Sequence, residues 1–273
     1  MITNIQPLLM ESTVLGLDTS NVNPVLLVAI IIVAGLIAVV SAVSVGVSIW
    51  LAVKYVKFNR RQNSAGITGS DAARKILDDN GLQKIRVSVV GSVLFGNSYS
   101  HWFKKIRLRR LTNKKTSITS LAMGAQKSCL AILDKENDPD MRQRVRLIPL
   151  ITFGPFAFIP LLAVGVALDI LVFNTTGVAT IVCAGLGILF YVLSFILSIK
   201  VYKTEIKAQE RAYIVLKEER LATDEEIELM KELFKLYNIQ YINDMILAFL
   251  QVLLKILLLI AKAQMRSSAS SSD

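Results

Sequence analysis

At 273 residues, with 53% hydrophobic side chains and a mean hydropathy of +0.53, the chain is too apolar for a water-soluble domain of this size and must use lipid as part of its solvent. A formal net charge of +10, from 31 Lys and Arg against 21 Asp and Glu, directs attention to anionic surroundings. With one histidine in the whole chain, metal sites and proton relays built on a histidine pair are excluded.

Residues 1–23 carry Glu11 and Asp18 but no Lys or Arg, so they lack the basic start of a signal peptide and are expected to stay attached as an extracytoplasmic segment. No charge occurs from 25 to 53, a run longer than the roughly 20 apolar residues a spanning helix needs, and 24–53 reads as a first transmembrane helix. Gly35, Ser41, Ser44, Gly46 and Ser48 within it permit close helix contact.

The basic segment 54–146 reads as a cytoplasmic region with a small α+β fold of its own. Thr68 and Asp71 open a helix that ends at Asp78, Asp79 and Asn80, with Gly81 as a left-handed cap. Residues 85–90 alternate as a strand, 91–100 form a turn rich in Gly, Ser and Asn, and 104–111 set Ile106, Leu108 and Leu111 against basic neighbours as the hairpin partner. Over 117–133, Ile118, Leu121, Ala122, Ala125, Cys129 and Ile132 recur at helical spacing. This predicts an amphipathic helix with one buried stripe, and places Gln126 and Leu130 on one face. Pro139, within 134–140, ends it.

From 147 to 199 only Asp169 and the turn-like Asn174-Thr175-Thr176-Gly177 interrupt the apolar sequence, which predicts a transmembrane helical hairpin. Pro149, Gly154, Pro155 and Pro160 predict a kinked or broken first arm, and Asp169 reads as an interfacial residue. Residues 200–240 read as polar cytoplasmic helices, the second opened by Thr223 and Glu226. Segment 241–262 is a fourth helix, transmembrane or interfacial, in which Asp244, Gln251 and Lys255, with Lys262, line one side. That stripe reads as snorkelling and packing, with a polar functional groove as the alternative. The Ser-rich 263–273 is expected to be disordered. The predicted class is a mainly α integral membrane protein, with about four transmembrane helices and a small α+β cytoplasmic insertion.

Of the 31 Lys and Arg, only Lys255, Lys262 and Arg266 fall outside 54–146 and 200–235, so the positive-inside rule places 54–146 and 200–240 in the cytoplasm. The cluster of Lys104, Lys105, Arg107, Arg109, Arg110, Lys114 and Lys115 reads as topology and attraction to anionic lipid, about 1 kcal/mol for each residue near the surface. Base recognition would interleave aromatic side chains, and only Trp102 and Phe103 stand near; no nucleic-acid partner is expected.

Little else in the chain suggests chemistry. A metal site from His101, Cys129 and Glu205 matches no known ligand spacing. Cys129 on the cytoplasmic helix and Cys183 in a span read as reduced packing residues, and Ser128 beside Lys127 is no hydrolase signature.

Several stretches carry a family resemblance: YVKFNRRQNSAGITGSDAARKILDDNGL beginning at Tyr55, SYSHWFKKIRL at Ser98, TSITSLAMGAQKSCLAIL at Thr116, and the later helix with Thr204, Glu205 and the residues from Ala208 to Ala212. In these words the chain resembles the membrane-embedded neutral zinc metallopeptidases of bacteria, the YugP-like family. The resemblance implies a central helix reading H-E-x-x-H, whose two histidines hold Zn²⁺ while the Glu activates the bound water. Here the same places read Gln126, Lys127, Ser128, Cys129 and Leu130. Leu130 has no lone pair, Gln126 is a poor zinc ligand, and Lys127, with an unperturbed pKa of roughly 10.4, repels a metal and accepts no proton.

The family's third ligand, a Glu on a later helix, corresponds by resemblance to Glu205. A lone carboxylate there would be costly to bury, so Lys127 is expected to pair with it and Gln126 to add a hydrogen bond. These substitutions imply a catalytically inactive pseudo-peptidase without zinc or another cofactor. Such a chain would bind, scaffold or regulate a membrane-protein or peptide partner in the bacterial plasma membrane. One alternative is an active peptidase with an unusual site; another is a membrane scaffold or transport component unrelated to peptides. The resemblance further implies that a strand beside the central helix takes an extended segment by edge addition.

Overall fold

The computed structural model describes residues 13–14, 17–18, 22–90, 96–173 and 178–270. In chain order the elements are β1 (Thr13–Val14), β2 (Leu17–Asp18), α1 (Pro24–Arg60), α2 (Gly69–Asp79), β3 (Arg86–Val90), β4 (Ser98–Ser100), β5 (Lys105–Arg109), α3 (Arg110–Lys114), α4 (Ile118–Lys135), α5 (Pro139–Leu168) with a π-helical extension over Asp169–Phe173, α6 (Val178–Glu218) and α7 (Asp224–Ser270). The turn expected at 174–177, residues 91–95 of the turn expected at 91–100, most of 1–23 and the last three residues lie outside the described part.

Three described helices are long and apolar enough to cross a membrane: Pro24–Arg60, Val178–Glu218 and Asp224–Lys262; the shorter Ile159–Val172 is also apolar. α5 runs unbroken through Pro149, Pro155 and Pro160, so the first arm is not broken there. It packs along α6, whose Ser194 hydroxyl donates to the Leu150 carbonyl at 3.2 Å. Asp169 is buried within the chain and caps the start of α6 by accepting from the Ala179 and Thr180 amides at 2.9 and 2.7 Å and from the Thr180 hydroxyl at 2.6 Å.

The chain divides into two compact units, Met1–Ile49 with Asn238–Asp273, and Trp50–Tyr237. In the first, parts of α1 and α7 meet in a polar seam. Asp244 accepts from Gln240 at 2.7 Å and from Ser44 at 3.2 Å, and Ser48 donates to the Gln240 side-chain oxygen at 3.1 Å. Gly35 and Gly46 take no part, since a Cβ on either would meet nothing within 4 Å; the close contact expected of them belongs to the serines. Most of the rest of this stretch of α1 presents bare Val and Ile, such as Val39 at 63% exposure, a surface suited to lipid and not to water.

The second unit is built around α4. Every residue from Ile118 to Leu133 is buried, so the helix is central and enclosed on all sides, not amphipathic. Two glycines let neighbours approach it. A Cβ on Gly69 would overlap the carbonyl oxygens of Thr112 and Ser120, and one on Gly124 the carbonyl oxygen of Gly69, so α2 and α4 cross backbone to backbone. Several polar residues of α4 find partners inside: Ser117 caps its N-terminus by accepting from the Ser120 amide at 3.2 Å, and the Ser128 hydroxyl lies 3.1 Å from the Gly124 carbonyl and 3.2 Å from that of Ala73, whereas the buried Thr119 hydroxyl has no partner among the described residues.

Capping follows the sequence. Thr68 accepts from the Asp71 amide at 3.2 Å, Gly81 is left-handed (φ 68°) and the Leu82 amide returns to the Leu77 carbonyl at 2.7 Å. Thr223 and Glu226 exchange side-chain to backbone bonds at 2.9 and 3.3 Å before α7. The sheet differs from the expected hairpin. β5 lies centrally in the order β3-β5-β4 and pairs parallel with β3, Val87 opposite Ile106, and antiparallel with β4, Tyr99 opposite Ile106. The hairpin is β4–β5, closed by the turn of 101–104, and the long connection from 91 to 104 gives the parallel pair room to form.

Candidate functional site

Halfway along α4, two side chains point at α6. Lys127 Nζ donates to Glu205 Oε2 at 2.9 Å and Gln126 Nε2 donates to the same oxygen at 3.1 Å. The other oxygen, Oε1, accepts from Arg144 Nη2 of α5 at 2.6 Å. Three helices therefore converge on one carboxylate. The apolar part of α6 ends at Ile199, and Glu205 follows it on the charged continuation of that helix.

The electrostatics follow from burial. Lys127 is 8% exposed and Gln126 5%, so their polar heads are largely withdrawn from water. Burial pushes the Glu205 carboxyl up, but the adjacent Lys127 and Arg144 charges and their hydrogen bonds outweigh it and hold the group below its ordinary range. A carboxylate shared by two cations leaves the cluster one positive charge in excess, and Arg144 Nε is buried without a partner among the described residues.

Leu130 lies one turn beyond Gln126 but is fully buried in the apolar core, among Leu121, Ala208, Ala212 and their neighbours. Ser128 bonds backbone carbonyls and makes no bond with Lys127. Cys129 is enclosed, and burial pushes its thiol up to about 12, so it is neither a nucleophile nor a ready metal ligand. Asp244 belongs to the polar seam of the first unit, where Gln251 and Lys255 are exposed on the same helix.

His101, considered above with Cys129 and Glu205, turns instead to Asp134 at the end of α4. Asp134 accepts from the Tyr99 hydroxyl at 2.6 Å and from Lys104 at 3.1 Å, and faces His101 Nδ1 at 2.8 Å. Burial raises its pKa, yet the bonds from Tyr99, His101 and Lys104 prevail and keep the carboxyl below the usual range. This cluster ties the β4–β5 hairpin to α4.

Sequence reasoning missed Arg144. Three arginines alternate at 142, 144 and 146 ahead of an apolar block, and all three read as membrane-flanking charges. The available signal was spacing: Met141, fully buried, and Val145, packed on the core, share a helix face with Arg144.

The residues gathered around Glu205 do not fit a zinc ion. Zinc wants lone pairs from several donors, whereas here a single carboxylate is already held by an ammonium, a guanidinium and an amide N–H. Among the described residues no group of three or more His, Cys, Asp or Glu is arranged to hold a metal.

A family model described as "Putative neutral zinc metallopeptidase" matches residues 30–261. The chain is also 25% identical, over 188 residues covering 67% of it and 79% of the relative, to the "Putative membrane protease YugP" of Bacillus subtilis (strain 168). No solved structure matches significantly. With the match running from within α1 to within α7, the chain belongs to the putative neutral zinc metallopeptidase family.

Proposed function

We propose that this chain is a catalytically inactive member of its family, a membrane protein that keeps the peptidase scaffold and uses it to bind, scaffold or regulate a membrane-protein or peptide partner. The observation that carries the reading is the state of Glu205: its two oxygens are engaged by Lys127, Gln126 and Arg144, and the two cations among these would repel a metal ion there. With Lys127 where the family motif places its general base, and Leu130 where it places a ligand, the chain has neither a proton acceptor nor the donor set to activate water. An ion-pair clamp would then dock α4, α5 and α6 as a metal does elsewhere.

In this reading the chain is multi-pass in the bacterial plasma membrane, with 54–146 and 200–240 cytoplasmic and α5 supplying a fourth crossing beside α6. The β4 edge, unpaired on its outer side among the described residues and in contact with α4, is the place where an extended client segment would add as a strand. Neither nucleic acid nor a resident cofactor is required.

The competing reading, an active membrane peptidase, draws on family membership and on the relative named as a membrane protease. A casein-type proteolysis assay on the purified protein decides between them. The proposal expects no cleavage by the wild type and none by Glu205→Ala; cleavage lost in Glu205→Ala overturns it. Affinity capture from membranes then distinguishes a peptide-binding groove, which would return several peptide-like clients through β4, from a scaffold unrelated to peptides, which would return one stoichiometric partner.

A further inference from the structure

Where α1 ends and α4 begins, a cleft of about 380 Å³ opens between the segments 59–62 and 114–117. Four of its lining residues are Arg60, Arg61, Lys114 and Lys115, and no carboxylate lines it. Arg61 meets Glu225 at 2.8 Å through an exposed pair; Arg60, Lys114 and Lys115 have no carboxylate partner among the described residues. At least three uncompensated positive charges therefore share one small cavity, an arrangement whose mutual repulsion a bound anion relieves.

The cleft is framed by backbone and not by mobile side chains alone. The Asn63 amide donates to the Thr116 carbonyl at 2.8 Å and the Ile118 amide to the Arg61 carbonyl at 3.1 Å, pairing the two walls antiparallel. Ser117 Oγ donates to Asn59 Oδ1 at 3.0 Å, a part-buried cross-tie. Thr116, which also lines the cleft, accepts at Oγ1 from Gln62 Nε2 at 3.4 Å, so its hydroxyl keeps a proton to donate. The carbonyl ends of α1 and α3 contribute partial negative charge nearby, but amount to about half an elementary charge each against the full charges of the cations.

We propose that this cleft binds a phosphate group carried as a monoester dianion. Guanidinium and ammonium groups with a hydroxyl donor suit three charged oxygens better than a single carboxylate. Arg60 follows Val53, the end of the uncharged run, by seven residues, about 10 Å of helix. The headgroup layer is about 5–8 Å deep on each side. The cleft therefore lies just beyond that layer, where long Arg and Lys side chains can reach back to the phosphate of an anionic lipid headgroup or take a soluble phosphate ester, and the chemistry is the same for both. Bound there, the phosphate would lock the end of α1 to the N-terminus of α4, the helix that carries Gln126 and Lys127.

The test uses the full-length protein in two arms. In phosphatidylcholine nanodiscs, inorganic phosphate is titrated and its ³¹P linewidth followed; in nanodiscs containing phosphatidic acid, retained lipid is counted by native mass spectrometry. Saturable binding is expected in at least one arm, weakened roughly ten-fold, about 1.4 kcal/mol, by K114Q/K115Q and by Arg60→Gln, and unchanged by K105Q/R107Q on β5. Binding of inorganic phosphate assigns a soluble ligand class; binding of phosphatidic acid alone assigns a lipid headgroup. No saturable binding in either arm, or equal loss in the cleft and β5 variants, overturns the proposal. Arg60, Lys114, Lys115 and Arg107 are exposed and Lys105 half-buried, and unchanged circular dichroism confirms that each variant is folded.

Discussion

α4 and the first half of α1 are both apolar helices, yet they live in different solvents. α4 is buried from Ile118 to Leu133, whereas α1 leaves Val39 63% and Val45 59% exposed. α1 is the more apolar of the two by composition, and only it qualifies as a candidate span. The physical difference lies in the use of small and polar residues. In α4, Gly124 admits the backbone of α2, and Ser120, Ser128, Gln126 and Lys127 bond to protein groups. In α1 the glycines at 35 and 46 face open space, and most of the exposed surface is aliphatic. An apolar helix studded with partnered polar groups is the centre of a protein; one with unpartnered aliphatics wants lipid.

The sharpest way to break that contrast is at Glu205. Replacing it with Ala leaves Lys127 and Arg144 as uncompensated, mostly buried cations, a loss of about 3–5 kcal/mol in unfolding free energy measured by denaturant titration in detergent. The triple variant K127M/R144M/E205L, which removes every charge together, is expected to recover most of that loss.

In α1 the corresponding change is Val39→Asp. It should cost about 2.5–3.5 kcal/mol in a membrane-insertion assay, because the charge would face hydrocarbon near the middle of the span. A value near zero would mean that Val39 meets water.

Glycine offers a paired test with a smaller effect. Gly124→Ala forces a Cβ against the Gly69 carbonyl and should destabilise by about 1–3 kcal/mol, while Gly46→Ala, with nothing near its Cβ, should stay within about 0.5 kcal/mol. Equal melting shifts for the two would dissolve the distinction between the regions.

A pH titration reads the smallest effect. Because Lys127 and Arg144 hold Glu205 below the unfolded carboxyl value of roughly 4.3, its contribution is complete above that pH and is lost as the pH falls through the lower folded value. Arg144→Met leaves burial, which raises the pKa, less opposed, so the acid limb of the stability curve should begin at higher pH. An unmoved acid limb would show that Arg144 does not act on Glu205.

Local signals were the legible part of the sequence. The uncharged runs behind α1 and α6, the caps at Thr68, Thr223 and Gly81, and the alternation that buries Ile106 and Leu108 are all set by near neighbours in the chain. Pairing was less legible. Alternation makes β3 and β5 strands but does not say whether they run parallel, and the parallel choice depends on β4 entering the sheet on the far side of β5. The enclosure of α4 was hidden because Ser120, Gln126 and Lys127 look like a solvent face until their partners on other elements are known. Around Glu205, the family resemblance named residues on two helices; the third helix, with Arg144, was masked by the basic residues that flank any span.

The central claim is that protein cations occupy the place of a metal, and its most direct test is thermal unfolding of the purified protein with added zinc and with a chelator. A ligand that binds the folded state must raise its stability by mass action. The account predicts superimposable melting curves in both conditions, for the wild type and for K127M/R144M/E205L alike. A wild-type melting temperature that falls with chelator and returns with stoichiometric zinc would contradict it.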